Sequence, residues 1–441
     1  MRGRQAAIIV AAVLLFGGLP AVVHPAEAKT IEVAVGDGLV EAVAAAMPGD
    51  VLHLAPGVHK GSVVIEKPLT IEGNSFESTA IEGDGQGSVI RILSPGVIVR
   101  GLHISGSGID KTGIDAGVYV EKGADNPVVE RCWLDRNLFG VTLHGPKGAR
   151  VIGNTITNRN DLWLNNRGNG IHAWNNIGSI IADNVVTGGR DGIFMQLGRD
   201  NVISGNRFER LRFAVHYMYS KGGAVTDNVS IANHIGYALM YSDNLKVSGN
   251  ISVKDRDQGL MLNSARKGKI TENYVYASGG KCLFMYLALR NRVADNRFEG
   301  CDIGVHVTGS DENVIVDNAF IGNRVQMRYA GTKTYEWSEK SHGNYWSDNT
   351  AFDLDGNGIA DTAYRPNNVV DWLVWRYPLS KLLLSSPAME LLRAAQGQFP
   401  ALTPGGVVDS YPLMAPGPAP RELPPIPQNV EWEAGVADSE S

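Results

Sequence analysis

Short runs of alternating apolar and polar residues, separated by Gly, Asn and Asp, follow one another along most of the chain. One run in each unit ends in the pattern apolar-x-x-Asn, and these asparagines recur every 22 or 23 residues apart from one step of 30. They are Asn154, Asn184, Asn206, Asn228, Asn250, Asn273, Asn296 and Asn318. Strands that recur at a fixed spacing stack in parallel, one per coil. The pattern therefore predicts an all-β, single-stranded, right-handed parallel β-helix of the pectin-lyase-like type, with coils of about 22 residues.

The asparagine position and the irregular step each have a structural interpretation. Asparagine at this turn tolerates the left-handed backbone region, and its side chain can hydrogen-bond to the Asn of the neighbouring coil. The step of 30 comes from an insertion of about eight residues at 158–168, and insertions in solenoids collect on binding faces. We therefore expect an asparagine ladder along one turn and a loop that projects from another.

The repeat divides the chain into five segments. Leu39 to Met47 is predicted to be an amphipathic helix that covers the open end of the rod, and the repeat fades after Asn323. The predicted segments are a signal peptide at 1–28, a cap and first coil at 29–60, the β-helix at 61–325, a C-terminal extension with an Asp-rich turn and a helix at 326–400, and a Pro-rich, largely disordered tail at 401–441.

The N-terminus has the pattern of an export signal. Arg2 and Arg4 precede an apolar run at 6–16, and Ala26-Glu27-Ala28 is a small-x-small cleavage site. We therefore expect the mature protein to work outside the cytoplasm. With a net charge of −6 and no basic block, nucleic acid has little support as a partner.

Three cysteines in an oxidising compartment leave at least one thiol unpaired. Cys132, Cys282 and Cys301 all occur in strand-like surroundings. The sequence favours a buried small hydrophobic role for each of them, with copper ligation as the alternative.

A second strand follows each Asn turn, and its outward positions hold His, Met and aromatic residues. A solvated face would hold Ser, Thr, Asn, Lys and Glu instead. With Ala238 taken as the small residue that opens its strand, Met240 falls in the outward column of His216 and Met261. The outward positions are His144, His172, Trp174, Phe194, His216, Met218, Met240, Met261, Phe284, Tyr286 and His306.

This face has two interpretations. Thioether and imidazole groups together select Cu(I) over hard cations, and adjacent coils lie about 4.8 Å apart. The predicted copper ligands are His172, His216, Met218, Met240 and Met261. Alternatively, these side chains pack under the loop at 158–168 or against another protein.

A carbohydrate-active enzyme is the competing class of function. Parallel β-helices often cleave or epimerise acidic polysaccharides with carboxylates clustered on one outward face. Here the outward columns hold almost no Asp or Glu, and Asp191 and Asp257 fall in turns of coils that are not adjacent. We therefore predict a protein without enzymatic activity and keep a lyase, epimerase or hydrolase as the alternative.

Beyond the repeat, oxygen side chains at alternating positions resemble a calcium loop. Asp353, Asp355, Asn357 and Asp361 are the predicted calcium ligands, with Gly358 after the third of them. Tyr364 occupies the position where a complete EF-hand loop has Glu, and no flanking pair of helices is visible. An Asx turn that seals the rod is the alternative.

Three stretches resemble known proteins. Ala42 to His59, the asparagine coils and Gly343 to Pro366 are similar to the β-helix superfamily of carbohydrate-binding and sugar-hydrolase type. The segment Asp371 to Met414 narrows the resemblance to the NosD family, periplasmic accessory proteins of nitrous-oxide reductase maturation. The asparagine coils are widely shared, whereas the C-terminal segment is specific.

The resemblance to NosD implies a function and a set of partners. Such a protein works in the periplasm with the ATPase and membrane subunits of an ABC transporter, and it contacts the membrane only through that transporter. It receives copper from a lipoprotein chaperone and helps to assemble the copper centres of nitrous-oxide reductase. The helix predicted from about Pro387 to Gln398 then docks on the membrane subunit or caps the rod. A protein adaptor that never binds copper is a further alternative.

Overall fold

The chain forms a parallel β-solenoid in which each coil contributes one strand to each of three sheets. The computed structural model describes residues 28–329, 333–366, 370, 373–374, 377–383, 386–398 and 406–426. The predicted fold class is confirmed. The predicted signal peptide lies outside the described residues except for Ala28.

The first sheet has 13 described strands, all parallel. They are Thr30–Val33, Val51–Leu54, Thr70–Gly73, Ile98–Arg100, Val128–Glu130, Arg150–Ile152, Ile180–Ala182, Val202–Ser204, Ala224–Thr226, Lys246–Ser248, Lys269–Thr271, Arg292–Ala294 and Val314–Val316.

The second sheet has 12 described strands and carries the longest of them. They are Val63–Ile65, Ile90–Ile92, Ala116–Val120, Phe139–His144, Ile171–Trp174, Asp191–Gln196, Phe213–Met218, Ile235–Met240, Gln258–Asn263, Lys281–Tyr286, Ile303–Thr308 and Val325–Arg328.

The third sheet again has 13 described strands. They are Gly57–Lys60, Thr79–Glu82, His103–Ser105, Trp133–Asp135, Thr155–Thr157, Val185–Thr187, Arg207–Glu209, Val229–Ile231, Ile251–Val253, Tyr274–Tyr276, Arg297–Glu299, Ala319–Ile321 and Tyr345–Trp346.

The core lies between the three sheets because alternate residues of every strand point inward. In the second sheet the inward residues Val215, Tyr217 and Leu260 have no exposed surface. In the third sheet Phe208, Phe298 and Phe320 occupy the same inward column and are also fully buried. Burial of these apolar columns drives the stacking of the coils.

The predicted asparagine ladder occupies the turn between the first and third sheets. The backbone N–H and Nδ2 of Asn206 both donate to Oδ1 of Asn228, at 3.0 and 2.9 Å, and Nδ2 also donates to the carbonyl of Ile181. The left-handed residue is the one before each asparagine, such as Gly205 or Asp227, and not the asparagine itself. Asparagine is therefore used here for its two-sided hydrogen bonding, which corrects the expectation about its backbone.

Two elements cover the ends of the solenoid. The helix Leu39–Ala45 buries Leu39 and Val43 at the N-terminal end. At the other end the ladder finishes at Asn344, whose backbone N–H donates to the fully buried carboxylate of Asp409 at 2.7 Å.

The C-terminal extension contains little regular structure. Besides the third-sheet strand Tyr345–Trp346, its described elements include the strand Tyr335–Glu336, a 3₁₀ turn at Pro378–Leu383 and a helix at Pro387–Gln398. Tyr335–Glu336 pairs with the strand Val407–Val408 of the tail. The tail predicted to be largely disordered covers 401–441, and within it residues 406–426 pack on the solenoid. Among the described residues, no helix is both long enough and apolar enough to cross a bilayer.

The three cysteines divide into a pair and a single thiol. Cys282 and Cys301 form a disulfide with Cα atoms 5.7 Å apart, which leaves one unpaired thiol among the three cysteines. They lie on neighbouring elements of one coil, which brings residues 19 apart into contact. Cys132 is unpaired and fully buried, and burial raises the pKa of its thiol to about 12. It is an inert core residue, as expected.

Candidate functional site

The outward face of the second sheet carries two columns of side chains in register. The first column runs Tyr119, Thr142, His172, Phe194, His216, Ala238, Met261, Phe284, His306 and Arg328. The second runs His144, Trp174, Gln196, Met218, Met240, Asn263, Tyr286 and Thr308.

This register corrects the placement of Met240. The residue opposite Val215 and Leu260 is Tyr237, which points into the core, so Ala238 occupies the outward column between His216 and Met261. Met240 therefore lies in the second column, directly opposite Met218. The two thioethers occupy adjacent coils, which are spaced by about 4.8 Å.

His216 is the most buried of the predicted ligands. Its Nδ1 lies 3.2 Å from Oδ2 of Asp191, and the residue is only 6% exposed. Arg212 holds the same carboxylate in a two-pronged contact, with both N–O distances at 2.7 Å. Burial alone would raise the pKa of Asp191, but Arg212 and His216 lower it well below its usual value. The carboxylate is therefore charged and orients the imidazole with Nδ1–H towards it.

The other ring nitrogen of His216 has no hydrogen-bond partner among the residues that the structure describes. Nε2 is buried and makes no hydrogen bond within the described part of the chain. The rings of Phe194 and Phe213 contact the imidazole edge to face, each with its centroid 4.9 Å away. The hydrogen bond to Asp191 assigns a proton to Nδ1, so Nε2 is the ring nitrogen that remains for a ligand, in apolar surroundings. A buried polar atom without a partner usually marks strain, catalysis or a missing ion.

Three methionines lie on the same strand as His216 or on the next two strands of the second sheet. Met218 follows His216 by two residues on the same strand and projects from the same face. Met261 is 7% exposed, and it packs in one apolar cluster with Met240, Ala238 and Phe213. The strands thus bring His216, Met218, Met240 and Met261 into one neighbourhood that spans three coils.

His172 is placed apart from this group. The ring of Phe194 lies between it and His216, with centroid distances of 5.2 and 4.9 Å. Its Nδ1 is 3.0 Å from the amide Nδ2 of Asn169, which donates and leaves the proton of His172 on Nε2. Burial, and then the neighbouring His144, lower the pKa of His172 to about 4. The structure therefore does not bring His172 together with the other predicted copper ligands.

The inserted loop at 158–168 covers a different part of the face. Leu162 packs against Tyr119, Leu138 and Phe139, whereas the cluster of Met240 and Met261 contains no residue of the loop. Lys111 donates to the carbonyl of Asn165, which ties the loop to a turn two coils earlier. The methionines are thus not packed beneath this loop.

A polar network near the N-terminal end of the face was not singled out from the sequence. The hydroxyl of Tyr119 lies 3.1 Å from Nδ1 of His144, and Glu121 lies 3.7 Å from that same nitrogen. Arg91 pairs with Glu121 and stacks over the Tyr119 ring at 4.7 Å. The residues come from three successive coils, so only the strand register could have revealed them.

The Asp-rich turn satisfies its oxygens internally. Asp353 accepts hydrogen bonds from the backbone N–H groups of Gly356 and Gly358, at 2.7 and 2.8 Å, and these bonds lower the pKa of its carboxyl group. Asp361 accepts from the N–H of Leu354, and Asn357 accepts from the N–H of Ile359. This geometry is that of nested Asx turns. Calcium binding by Asp353, Asp355, Asn357 and Asp361 stays a prediction.

Among the described residues, no group of three or more His, Cys, Asp or Glu side chains is placed to hold a metal ion. Thioether sulfur lies outside that set of groups. A metal on the second sheet would therefore be a soft ion held chiefly by methionine and one imidazole.

The sequence of this chain is similar to that of one described protein family and to two named proteins. The family model described as "Periplasmic copper-binding protein (NosD)" matches residues 158–351. A protein of Pseudomonas aeruginosa named "Probable ABC transporter binding protein NosD" is 37% identical over 375 residues, which cover 82% of this chain and 87% of that protein. A protein of the same name from Stutzerimonas stutzeri is 37% identical over 377 residues, covering 82% of this chain and 86% of that protein.

Solved structures add evidence on the fold alone. The catalytic domain of a GH87 alpha-1,3-glucanase superposes with a TM-score of 0.52 at 11% identity, covering 69% of this chain and 67% of that one. At that identity the likeness extends to the solenoid and not to its chemistry. The two relatives, each aligned over most of its length, show that this chain belongs to the NosD family, whose description is that of a periplasmic copper-binding protein.

Proposed function

We propose that this chain is a periplasmic copper-handling and scaffold protein without enzymatic activity, which works with an ABC transporter to deliver copper for assembly of the copper centres of nitrous-oxide reductase. The family description and the relatives' names support copper and a transporter as its partners. The observation that carries the proposal is the buried Nε2 of His216, which has no hydrogen-bond partner among the described residues, with Met218 on the same strand and Met240 opposite Met218 in the next coil.

The donor set suits Cu(I). Imidazole and thioether groups are soft ligands that hard cations such as calcium do not prefer. His216 supplies Nε2, and Met218, Met240 and Met261 supply sulfur from the same and the next two coils. Asp191 acts through the imidazole as a positioning group, because its hydrogen bond fixes which nitrogen is free. His172 is a peripheral ligand at most, since its Nε2 carries a proton.

A titration with Cu(I) in competition with a chelator tests this set. We expect the full chain to hold Cu(I), and we expect His216→Ala, Met218→Leu and Met240→Leu each to weaken it by about tenfold or more. Met→Leu keeps the volume and removes only the sulfur. Met47→Leu is the matched control because Met47 is 58% exposed beside the N-terminal helix.

The same titration separates copper handling from a copper-free adaptor. Retention of Cu(I) by all three variants would show that the ligands lie elsewhere on the chain. Failure of the unaltered chain to compete for Cu(I) at any concentration would favour an adaptor that only brings the transporter and the reductase together.

The C-terminal extension is the proposed contact with the membrane subunit of the transporter. Leu379, Leu382 and Leu391 are 82%, 85% and 72% exposed, which is unusual for leucine on a short helical segment. We expect Leu382→Asp to abolish co-purification with the transporter. Leu354→Asp is the control, because Leu354 is equally exposed at 86% but lies in the Asp-rich turn. Copper binding should be unchanged in both variants, which separates docking from copper handling.

A carbohydrate-active enzyme is supported less well. Glu121 and Asp191 are carboxylates on the second-sheet face, but they lie three coils apart, or about 14 Å, whereas hydrolases place their two carboxylates within about 10 Å. Each is also held by an arginine, Arg91 or Arg212.

The one arrangement that favours this alternative is the contact between Tyr119 and His144, with Arg91 beside it. A lyase or epimerase acting on uronates needs a base and a cation to neutralise the substrate carboxylate. Incubation with polyuronates, with formation of unsaturated products as the readout, tests it. Turnover that is lost in Tyr119→Phe would replace our proposal of a non-enzymatic protein.

A further inference from the structure

The tail makes a defined contact far from the end of the solenoid. Residues 420–426 read Pro-Arg-Glu-Leu-Pro-Pro-Ile, and we call them the tail segment. Residues 422–426 are in neither helix nor strand, and the proline pair restricts their backbone to extended conformations. The side chains of Arg421 and Leu423 are half-buried, whereas Glu422 and Ile426 are exposed. One side of the segment therefore faces the protein and the other faces solvent.

The surface beneath the tail segment is an apolar patch on the outward face of the third sheet. We call it the third-sheet patch, and it consists of Val229, Ile251, Val253, Tyr274 and Tyr276. Although these side chains point away from the core, Ile251 and Tyr274 are only 2% and 6% exposed. Leu423 packs in the same cluster.

Charged residues border the third-sheet patch on both sides. The outward column that holds Val229, Ile251 and Tyr274 continues on one side as Arg207 and on the other as Arg297. In the parallel column the flanking residues are Glu209 and Glu299. The coils on both sides thus carry the Arg–Glu pairs of a solvated face, with N–O distances of 2.6 and 2.7 Å. Between these two coils both columns are apolar, and Leu423 of the tail segment packs there.

A charged contact fixes the tail segment at one end of this patch. Nη1 of Arg421 donates to the carbonyl oxygen of Gly249 at 2.7 Å and lies 3.6 Å from Oδ1 of Asp227. A side chain on Gly249 would meet the Asp227 carboxylate, at 2.5 Å from the added Cβ. Glycine here leaves room for the carboxylate, and its left-handed backbone, with φ at +67°, belongs to the turn that holds it.

We propose that the third-sheet patch is a recognition site for an extended proline-rich peptide of the form Arg-x-Leu-Pro-Pro, and that the tail segment occupies it in cis as a releasable ligand. The arginine is bound by the carbonyl oxygen of Gly249 and the carboxylate of Asp227, and the leucine packs in the apolar cluster. The prolines reduce the conformational entropy that the peptide loses on binding. A contact of so few residues is weak between separate molecules. It persists in cis because a short tether gives an effective concentration in the millimolar range.

Peptide binding to the full chain tests this assignment. A fluorescent peptide of residues 419–426 is added to the unaltered chain, to Leu423→Asp and to the control Glu422→Gln, which changes an exposed residue of the same segment. Leu423→Asp removes the cis competitor, so we expect the peptide to bind this chain at least about tenfold more tightly than the other two. A peptide carrying Leu423→Asp should not bind. Asp227→Asn in the Leu423→Asp chain should weaken peptide binding several-fold.

Three outcomes would overturn the proposal. They are equal binding to all three chains, no binding to the Leu423→Asp chain, or a dimer of the unaltered chain that Leu423→Asp converts to monomer. The last would assign the patch to the tail of a second copy. None of these readouts depends on copper, so the test is separate from that of the proposed function.

Discussion

The asparagine ladder and the outward face of the second sheet repeat with the same period, yet they treat buried polar groups in opposite ways. Along the ladder, Asn206 donates to Asn228 in one neighbouring coil and accepts a hydrogen bond from Asn184 in the other. Its amide also donates to the carbonyl of Ile181, so both ends of the amide are hydrogen-bonded. On the second sheet, His216 has Phe194 on one side and Ala238 on the other. No ladder can form there, and Nε2 makes no hydrogen bond within the described parts of the chain.

The two columns differ in whether a buried polar residue has polar residues of the same kind in the neighbouring coils. In a column of identical polar residues, each side chain can hydrogen-bond to the next, and their regular spacing then reflects structure alone. A column in which one buried polar residue interrupts apolar neighbours cannot do so. Such a residue marks a candidate functional group at one particular coil of the solenoid.

Breaking the ladder should have the largest effect. Asn228→Ala removes the acceptor of the Asn206 backbone and side-chain amides together with two bonds donated by Asn228 itself. Buried groups left unsatisfied on both neighbouring coils should cost about 3–5 kcal/mol of unfolding free energy. Denaturant unfolding measures this. Asn263→Ala, on the outward face of the second sheet, is the control, and an equal loss in both would contradict the special role of the ladder.

Removing Arg212, which holds the carboxylate that positions His216, should lower the free energy of unfolding by somewhat less. Arg212→Met leaves the buried Asp191 carboxylate without its main partner, which should cost about 2–4 kcal/mol at neutral pH. In the unaltered protein the pKa of Asp191 is lowered, so its contribution is present above the unfolded pKa and is lost only in acid.

The pH dependence of this variant distinguishes charge from packing. Protonation removes the unpaired charge, so the deficit of Arg212→Met should shrink as the pH falls. Arg207→Met breaks an exposed pair with Glu209 and should change stability by less than about 1 kcal/mol. A deficit for Arg212→Met that is constant with pH would mean that only packing was lost.

Much of the fold could be predicted from the sequence because the patterns that determine it lie within short stretches of the chain. Asparagine recurs at a fixed spacing, and each strand shows its own alternation, so the solenoid and the inward columns follow from short windows. The left-handed turn was assigned to the asparagine instead of the residue before it, since both positions are occupied by turn-forming residues such as Asp227 and Asn228.

The site was harder to predict because it depends on register between coils. Tyr237 fills a core position that is aliphatic in most other coils, and the predicted position of Met240 was therefore wrong by two residues, which is one outward column. Asp191 reaches His216 from 25 residues earlier, a pairing that no local pattern contains. Composition likewise predicted disorder for a tail whose segment 420–426 is held by contacts with residues 172 positions away.

The outward histidines should give the protein an acid-sensitive stability. Burial lowers the pKa of His172 to about 4, so between that pH and the unfolded value near 6.5 the unfolded chain binds more protons. Stability should therefore fall as the pH drops from about 6.5 to about 4, by up to about 2–3 kcal/mol for this residue. His172→Gln should flatten that slope in denaturant titrations. A slope identical to that of the unaltered chain would show that His172 is not neutral in the folded state.

One buried carboxylate in a turn should act in the opposite sense, with the smallest effect. Asp255 is fully buried next to Asn233, whose backbone N–H donates to it, and burial raises the pKa of Asp255 to about 7. Between about pH 4 and 7 the folded chain binds the extra proton, so its contribution to stability falls as the pH rises. Asp255→Asn keeps the shape and the acceptor, and its amide can donate to the preceding coil as Asn233 does to Phe208. We therefore expect this variant to be more stable at pH 8 by about 1–2 kcal/mol and equal to the parent near pH 5. A variant that is less stable at both pH values would show that the charge itself, held by Ser230 and Ser252, is needed in this turn.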